Sequence, residues 1–445
     1  MEKKFSIVTL GCKVNQYDSL MMKELLKREG LVEAEPDEQA DVSVINTCSV
    51  TAKSDYQSRQ LVRRMVKQSA DLQNTKKIIV TGCYAQMHPD ELRKIDGVSS
   101  VLPNLEKHNI INHIKNKATT NCIISDNSHW NSLDNLTSAA STKRSRAFLR
   151  IQEGCDNRCT YCIVWKARGK SRSVPTDNVV AAAREIEARG FKEIVLTGIH
   201  IGFYGNDLGG ISSSSGDKHC LTDLVTRLLA ATSKVRYRIS SIEPNEIDDR
   251  LIGMISDEER LCRHLHIPLQ AGSDEILLKM GRNYTTKQYF RLLEQLSKRV
   301  PDICIGADVI AGFPGETDEL FNLSQEVIDN SPINYLHVFP FSRRKGTMAY
   351  DMEMQVPRKK KVERARILRK ISYKHKRLFY LKNVNKYLNV IVESNNSNSL
   401  ISKCISDNYI TLYVPSEEVG NQPVSRIMAK KEYFQGVSQA IFTSA

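Results

Sequence analysis

Residues 146–162 have the sequence RAFLRIQEGCDNRCTYC, in which a short apolar strand runs directly into a loop with three closely spaced cysteines. Cys155, Cys159 and Cys162, the loop triad, form a C-x3-C-x2-C pattern. Thiolates are soft ligands that suit iron–sulfur clusters, and a 4Fe–4S cubane needs four ligands. The loop triad therefore predicts a cluster that has one iron open to another ligand.

A second set of three cysteines, the dispersed triad, lies in the N-terminal third. Cys12, Cys48 and Cys83 are 36 and 35 residues apart, each just after an apolar run, in GCKVNQ, NTCSVT and TGCYAQ. The alternating strand and helix patterns around them predict a parallel sheet. Because the carboxyl ends of parallel strands share one edge, we expect these cysteines to meet there and hold a second 4Fe–4S cluster. Buried structural cysteines or a zinc site are the alternatives, although this triad lacks the C-x2-C pairs typical of structural zinc.

Length and charge set the broad class of the protein. The chain has 445 residues, which favours about two to four domains. No apolar stretch approaches the roughly 20 residues of a membrane-spanning helix, so we expect a cytoplasmic protein with reduced cysteines and no membrane partner. The net charge of +13 favours a polyanionic partner. Twelve Lys and Arg accompany a single acid, Glu363, in the stretch 358–382, which favours nucleic acid over a merely solvated helix.

The region after the loop triad alternates strands with helices, the latter over Leu221–Ala231, Thr285–Leu296 and Thr317–Ile328. This pattern predicts about six βα units, an α/β partial barrel with its active site at the carboxyl ends of the strands. Polar or glycine residues near those ends are candidate cofactor contacts, with ordinary turn chemistry as the alternative. They are Gly198, Glu243, Gln270, Asp308 and Gly312.

The C-terminal residues, from about 383 to 444, are β-rich and predict a small antiparallel β-barrel. Its Tyr409, Tyr413 and Tyr433 are candidates for base stacking, with packing as the more favoured role. The remaining cysteines are expected to be structural or to lack partners at ligand spacing: Cys122, Cys220, Cys262, Cys304 and Cys404.

The order of motifs along the whole chain resembles the methylthiotransferase family, whose middle region is a radical S-adenosylmethionine (SAM) domain. The motifs that carry the resemblance are GCKVNQYDS, NTCSVT, TGCYAQ, GCDNRCTYC, ARGKSRS, LTGIHIG, SSIEP, HLHIPLQAGSD, DVIAGFPGET and the GT of RRKGTMA. It implies an N-terminal auxiliary-cluster domain at 1–115, a linker at 116–145, a (β/α)6 radical SAM barrel at 146–375 and a TRAM-like RNA-binding domain at 376–445.

The resemblance also implies the cofactors and the roles of the two triads. The open iron at the loop triad would bind SAM, whose reductive cleavage yields a radical that abstracts a hydrogen atom. The dispersed triad would hold the auxiliary cluster, source of the sulfur that becomes a methylthio group. Tyr161 is the expected aromatic residue beside the SAM adenine. No catalytic residue is expected beyond the cluster ligands.

Family members modify isopentenyladenosine or threonylcarbamoyladenosine beside the tRNA anticodon, or an aspartate of a ribosomal protein. GCKVNQYDS and ARGKSRS are most similar to the threonylcarbamoyladenosine branch, so we expect the anticodon stem-loop of tRNA as partner, with a reductase or a ferredoxin- or flavodoxin-type electron donor and a sulfur source. The alternatives are the other two substrates, or a non-catalytic protein that binds zinc and RNA. Arg282, Arg343 and Arg344 are candidates to bind phosphates or the threonyl carboxylate, with salt-bridged surface as the alternative.

The chain departs from the family pattern beside the loop triad. Trp165 and Lys166 replace the usual proline and aromatic residue after Cys162, and Arg158 stands where an aromatic residue is common. Because these positions flank the cluster loop, we expect substrate fit or cluster shielding to differ from that of the family. The cluster ligands themselves are unchanged.

Overall fold

The computed structural model describes residues 2–35, 38–70, 77–115, 145–208, 220–394, 400–420 and 424–434. Cys122 and the linker predicted at 116–145, except for Ser145, lie outside these ranges. Within them, no helix combines the length and the apolar composition that crossing a membrane requires.

The N-terminal third is a parallel sheet with the strand order β2–β1–β3–β4–β5. The strands are β1 (Lys4–Thr9), β2 (Val32–Glu33), β3 (Val42–Thr47), β4 (Lys77–Gly82) and β5 (Ser100–Val101). The helices are α1 (Lys13–Arg28), α2 (Ala52–Ala70), α3 (Cys83–Met87), α4 (Pro89–Arg93) and α5 (Ile110–Lys115), with a 3-10 helix at Asn104–Asn109. The central strands β3 and β4 are buried almost throughout, as expected where helices cover both faces of a sheet.

The middle of the chain contains six parallel strands in chain order. They are β6 (Arg146–Arg150), β9 (Glu193–Thr197), β10 (Arg236–Ile239), β11 (His264–His266), β12 (Cys304–Ala311) and β13 (Tyr335–Pro340). Isolated bridges between Tyr237 of β10 and Leu261, and between Ser241 and His266 of β11, place β10 beside β11 and so unite two three-stranded halves. The partial (β/α)6 barrel predicted from the sequence is confirmed.

Helices alternate with these strands. They are α7 (Thr176–Ala188), α8 (Leu221–Ala231), α9 (Asp249–Asp257), α10 (Asp274–Lys279), α11 (Thr286–Arg299), α12 (Asp318–Asp329), α13 (Met348–Asp351) and α14 (Arg358–Lys382). A short two-stranded ribbon, β7 (Gln152–Glu153) and β8 (Arg172–Ser173), flanks the loop triad together with α6 (Val164–Arg168). Single 3-10 turns lie at Ile201–Phe203 and Pro244–Glu246.

The alternation of side chains along β12 separates the apolar core from the lumen of the barrel. Ile305, Ala307 and Val309 pack into the large apolar cluster beneath the helices. Asp308 therefore points to the opposite face, because successive strand residues alternate. There it meets His266 of β11 and His337 of β13. The lumen is consequently polar.

The C-terminal residues form a small antiparallel sheet with the order β16–β15–β14–β17. Its elements are β14 (Tyr387–Ser394), β15 (Ile401–Ser406), β16 (Thr411–Pro415), α15 (Ser416–Val419) and β17 (Val424–Met428), followed by a 3-10 helix at Lys431–Phe434. The preceding helix α14 runs without a break through residues 375 and 376, where the sequence predicts a domain boundary.

The turn between β15 and β16 covers the amino-terminal ends of the barrel strands. Arg238 donates to the carbonyls of Asp407 at 3.0 Å and Ser406 at 2.9 Å. The ring of Tyr409 stacks on His264 with centroids 4.1 Å apart. The small sheet thus closes the bottom of the barrel.

Candidate metal centre

Backbone hydrogen bonds hold the loop triad at its first cysteine and again between its second and third cysteines. The Cys155 amide donates to the Gly169 carbonyl at 3.0 Å, and the Thr160 amide donates to the Met280 carbonyl at 3.1 Å. Gly154, just before the loop, has φ +74°, and a Cβ there would lie 1.9 Å from the Lys170 carbonyl oxygen. Only glycine fits this turn without displacing the neighbouring backbone.

The three thiols of the loop triad lie close enough to influence one another. Burial raises the pKa of Cys155 to about 12, and the charges of Cys162 and Cys159 add to the rise. Burial likewise raises the pKa of Cys162 to about 11.

Polar groups of the barrel surround the sulfur atoms of the loop triad. The Arg282 guanidinium donates to Cys159 Sγ at 3.2 Å, and the Val164 amide donates to Cys162 Sγ at 3.4 Å. His200 Nδ1 lies 3.5 Å from Cys155 Sγ. Donors of this kind stabilise thiolates and tune the clusters that thiolates hold.

The dispersed triad also converges, as the parallel sheet predicts. Cys48 follows β3 directly, Cys83 begins α3 after β4, and Cys12 precedes α1 after β1. Burial raises the pKa of Cys48, and Cys83 and Cys12 both contribute to the rise. Cys48 and Cys83 are buried, whereas Cys12 is exposed.

Hydrogen bonds from one side chain join the loops that carry Cys12 and Cys48. The Asn15 side-chain amide donates to the Leu10 carbonyl at 2.7 Å and to the Thr47 carbonyl at 2.9 Å. Gly11 has φ +106°, and a Cβ there would lie 2.9 Å from Cys48 Sγ. A larger residue at position 11 would therefore push the Cys48 thiol aside.

Arg168 connects the two triads across the domain interface. It ends α6, the helix that begins two residues after Cys162, and its Nε donates to Cys83 Sγ at 3.3 Å. The buried Arg168 also bonds Asp18 at 3.1 Å and Glu153 at 3.0 Å. Both triads therefore border the same interface between the N-terminal sheet and the barrel.

A buried charge cluster surrounds Arg168. Asp18 on α1 accepts from Lys107 at 2.6 Å and from Arg150 at 2.8 Å. Burial by itself would raise the pKa of Asp18, but Lys107, Arg168 and Arg150 together hold it well below its usual range. Three cations face two carboxylates here, and a thiolate at Cys83 would balance the charge.

Arg344 makes a second connection from the barrel to the dispersed triad. The buried guanidinium donates to the carbonyl of Ser49, to its hydroxyl at 2.8 Å, and to Asp55 at 3.1 Å. Ser49 is the residue after Cys48. The Ala52 amide donates to the Ser342 hydroxyl at 2.9 Å beside it. The barrel thus supports the loops of both Cys48 and Cys83.

The three arginines predicted near the cleft differ in their surroundings. Arg282 pairs with Glu243 and Cys159, and Arg344 is bound as described, so both are engaged by protein groups. Arg343 is exposed, donates to the Tyr350 carbonyl at 2.6 Å and lies over the Tyr350 ring.

Three of the predicted cofactor contacts carry polar side chains at the upper face of the barrel. Tyr161 lies edge-on to Phe313, with ring centroids 6.5 Å apart. Glu243 caps the 3-10 turn at Pro244–Glu246 and pairs with Arg282. Asp308 Oδ1 lies 3.0 Å from His266 Nε2 and 3.3 Å from His337 Nδ1.

The other three predicted contacts lie at turns. Gly198 is packed against Gln152, whose carbonyl oxygen would lie 2.9 Å from a Cβ. The Gly312 amide donates to Glu316 at 2.7 Å. Gln270 has φ +67°, and its amide donates to the Asp308 carbonyl at 2.8 Å.

The departures from the family pattern form one local group. The Arg158 guanidinium lies over the Trp165 ring at 3.8 Å, and the Lys166 ammonium lies 5.1 Å from the same ring. Lys166 also donates to the Gly346 carbonyl at 2.7 Å. Trp165 therefore makes cation–π contacts with both Arg158 and Lys166, so the three departures interact with one another.

The remaining described cysteines lie away from both triads. Cys262, Cys304 and Cys404 are buried, and the Cys220 thiol donates to Asp223 at 3.0 Å. Two of the candidate tyrosines pack within the protein: Tyr409 stacks on His264, and Tyr433 is buried.

Comparison with known proteins gives the relationship of the whole chain. The model of a family described as uncharacterized protein family UPF0004 matches residues 4–103, and the radical SAM superfamily model matches residues 149–324. A threonylcarbamoyladenosine tRNA methylthiotransferase, MtaB, of Rickettsia prowazekii is 37% identical and is covered over 88% of either chain. The MtaB of Bacillus subtilis is 39% identical over 86% of this chain and 84% of its own.

The chain belongs to the methylthiotransferase family of radical SAM enzymes. It is a transferase of the MtaB branch, as its motifs predict. A solved structure of the radical SAM methyltransferase TsrM from Kitasatospora setae, with cobalamin and a 4Fe–4S cluster bound, covers 78% of this chain and 77% of its own at 14% identity and a TM-score of 0.57. That likeness concerns the fold.

The cofactors of this methylthiotransferase are SAM and two 4Fe–4S clusters. The donor sets fit two clusters: each triad offers three free thiols, and N–H groups of Arg282, Val164 and Arg168 point at their sulfur atoms. When bound, these groups supply the radical that removes hydrogen and the sulfur that is transferred.

Sequence reasoning missed the residues that join the two triads. Arg168 lies in the quoted motif ARGKSRS, but no role was predicted for it. Asp18, Lys107 and Glu153 were not singled out. No pattern in the sequence identifies this buried charge cluster, because an arginine six residues after a ligand has many possible partners.

Proposed function

We propose that this methylthiotransferase converts N6-threonylcarbamoyladenosine, next to the anticodon of tRNA, to its 2-methylthio derivative. The observation that carries the proposal is the meeting of the two triads at one interface, with Arg168 bonded to Cys83 Sγ six residues after Cys162. An adenosine bound there has access to a radical source and a sulfur source together. The relatives named for the same reaction support the choice of substrate.

We assign the metal ligands by triad. Cys155, Cys159 and Cys162 hold the SAM-binding cluster, and Cys12, Cys48 and Cys83 hold the auxiliary cluster. Arg282 and Arg168 orient one ligand of each cluster through their bonds to Cys159 and Cys83 and exclude water from those sulfur atoms.

The cofactor contacts are proposed at the carboxyl ends of the barrel strands. Tyr161, Gly198, Glu243, Gln270, Asp308 and Gly312 surround the SAM site. Asp308 is the ionised group among them. Burial opposes its ionisation, but hydrogen bonds from His266 and His337 hold the pKa of Asp308 well below its usual range. A carboxylate acceptor is therefore available in the lumen at neutral pH.

The domain limits follow the same assignment. Residues 1–115 form the auxiliary-cluster domain, 116–145 the linker, 146–375 the radical SAM domain, and 376–445 a TRAM-like RNA-binding domain. The anticodon stem-loop is the RNA partner, and exposed cations of α14 contact its backbone. A reductase or a ferredoxin- or flavodoxin-type protein supplies electrons, a separate source supplies sulfur, and the enzyme works in the cytoplasm.

The test is mass spectrometry of tRNA nucleosides from cells that lack this chain and from the same cells after it is restored. The proposal predicts that the 2-methylthio-threonylcarbamoyladenosine signal disappears and returns, while the unmethylthiolated nucleoside accumulates in its absence. If 2-methylthio-isopentenyladenosine changes instead, the enzyme belongs to the other tRNA reaction.

A further inference from the structure

Phe339 is an aromatic residue on the lumen face of β13. Leu336 and Val338 of this strand pack into the large apolar cluster beneath the helices. Because successive strand residues alternate between the two faces, His337 and Phe339 face the lumen. Phe339 is the last residue but one of β13, so it lies at the carboxyl end of the strand, where the predicted cofactor contacts also lie.

The ring of Phe339 is open to solvent. Phe339 is the one exposed phenylalanine among the residues that the structure describes, with 41% of its surface accessible. Single exposed apolar side chains are common on outer surfaces, but this one lies in the lumen. In the register of β12 and β13 it lies beside Ile310, whereas Asp308 and His337 pair two residues earlier. The upper end of the lumen therefore offers a flat apolar face above a polar row.

The chain that follows Phe339 is fixed on the side of the loop triad. The Phe341 amide donates to the Ala311 carbonyl at 2.8 Å, and the Phe341 ring lies edge-on to Phe313 with centroids 5.2 Å apart. Phe313 in turn lies edge-on to Tyr161, the residue before Cys162. A row of aromatic contacts thus joins the end of β13 to the loop triad.

The same stretch of chain is fixed to the dispersed triad. The Ser342 hydroxyl accepts from the Ala52 amide at 2.9 Å, and Arg344 donates to the hydroxyl of Ser49, the residue after Cys48. Both Ser342 and Arg344 lie within five residues of Phe339. Phe339 therefore stands on a segment whose position is set by contacts to both triads.

The proposed reaction requires an adenine whose C2 atom faces both triads, because hydrogen is removed and sulfur is added at the same carbon. The target adenosine lies beside the anticodon, in the single-stranded loop of the stem-loop. Proteins commonly splay such bases out and stack them on aromatic side chains. A base that is flipped into an enzyme loses the stacking of its neighbours, and a ring in the active site restores it.

We propose that Phe339 stacks on the target adenine and holds its plane between the two triads. The inference rests on the proposed function. The ring sets the orientation of the base and takes no part in bond making.

The test is a binding measurement with the enzyme loaded with both clusters, under anaerobic conditions and without reductant. Two anticodon stem-loops are compared, one with threonylcarbamoyladenosine and one with an abasic nucleotide at the same position. Dissociation constants are measured for wild type, for Phe339→Leu, which keeps an apolar side chain but removes the ring, and for Phe339→Trp, which keeps a flat face. Phe290→Leu, at a half-buried phenylalanine of the outer helix α11, is the matched control.

We expect wild type, Phe339→Trp and Phe290→Leu to bind the RNA that carries the base more tightly than the abasic RNA. Phe339→Leu should reduce that preference by about fivefold to a hundredfold, the range of base–aromatic stacking, and should bind the abasic RNA as wild type does. An unchanged preference, an equal loss of affinity for both RNAs, or the same loss of preference in Phe290→Leu would overturn the assignment.

SAM supplies the competing outcome, because its adenine is also proposed to bind at the carboxyl ends of the barrel strands. The dissociation constant for SAM, measured without RNA, should be the same for wild type and Phe339→Leu. If Phe339→Leu weakens SAM binding and leaves the preference between the RNAs intact, the ring stacks on SAM and the assignment is wrong.

The proposed function is tested separately by adding SAM and reductant to wild type with the threonylcarbamoyladenosine stem-loop. If no methylthio product forms, it is the proposed function that fails. The binding comparison still decides whether Phe339 contacts the base, because it requires no turnover.

Discussion

Arg168 is the side chain that touches both halves of the candidate site. Its guanidinium is buried and bonds Asp18, Glu153 and the Cys83 sulfur. Removing it leaves two buried carboxylates with one partner fewer, and breaking a buried pair in this way costs about 3–5 kcal/mol. Arg168→Gln should therefore lower the free energy of unfolding by that amount in anaerobic urea titrations.

The control for Arg168 is Arg189→Gln, which removes an exposed arginine that follows the last residue of α7 and pairs with Glu185 of that helix. Its effect should stay within about 0.5 kcal/mol. Equal urea midpoints for the two variants would contradict the role given to Arg168.

Asp18 makes stability depend on pH in a defined direction. Its pKa in the folded protein lies below the value near 3.9 of an unfolded chain. The folded state therefore gains stability from Asp18 above about pH 4 and loses it as pH falls through the lower, folded pKa. Urea midpoints of Asp18→Asn should lie below wild type at pH 7, and the gap should narrow below pH 4.

Asp96→Asn, at an exposed position, is the matched control for that pH series. Its midpoints should follow those of wild type at every pH. A constant gap between wild type and Asp18→Asn down to pH 3 would mean that Asp18 is not ionised in the folded protein.

At the scale of elements, α14 divides its cations into two groups. Lys360, Arg364 and Lys374 pair with acids on or next to α12, whereas Arg366 and Lys370 are exposed. The exposed pair is available to phosphates. Arg366→Gln/Lys370→Gln should weaken binding of the anticodon stem-loop and lower the slope of log K against log salt by about 1 to 2, because each phosphate contact contributes roughly 0.7 to 0.9.

Lys360→Gln is the control for α14, because its ammonium already pairs with Asp318 at 2.6 Å. It should leave the salt slope almost unchanged. If the double variant and this control show the same slope, the RNA lies elsewhere.

The turn between β15 and β16 makes the small sheet part of the barrel. Tyr409 stacks on His264 and lies 5.2 Å from the Arg238 guanidinium. Tyr409→Ala should cost about 2 kcal/mol of unfolding free energy, from one aromatic pair and the buried area of the ring. Its affinity for RNA should equal that of wild type. A large loss of affinity without loss of stability would instead make Tyr409 a base-stacking residue.

Local patterns in the sequence predicted most of the elements that carry the site. The apolar runs before Cys12, Cys48 and Cys83 are strands, and α8 has the predicted limits Leu221–Ala231. These features depend on neighbours in the chain.

Across the whole molecule, the contacts that join domains could not be predicted. Arg168 and Cys83 are 85 residues apart, and Arg344 and Ser49 are 295 apart. Such pairs depend on how the N-terminal sheet docks on the barrel, and one sequence offers many cations for each acid. The contact of Arg158 with Trp165 could likewise not be predicted, because the sequence shows these residues only as two separate departures from the family pattern.

The proposed mechanism is a division of labour between two clusters that meet at one interface. Its most direct test is the reconstituted enzyme assayed with a threonylcarbamoyladenosine stem-loop, for wild type, Cys48→Ala and Cys159→Ala, with SAM cleavage and methylthio product measured in the same tubes. Cys404→Ala, which alters a buried cysteine of the small sheet, is the control. Wild type and control should bind about eight irons per chain and make product. Cys48→Ala should cleave SAM without making product, and Cys159→Ala should do neither. Product from Cys48→Ala at the wild-type yield would contradict the account.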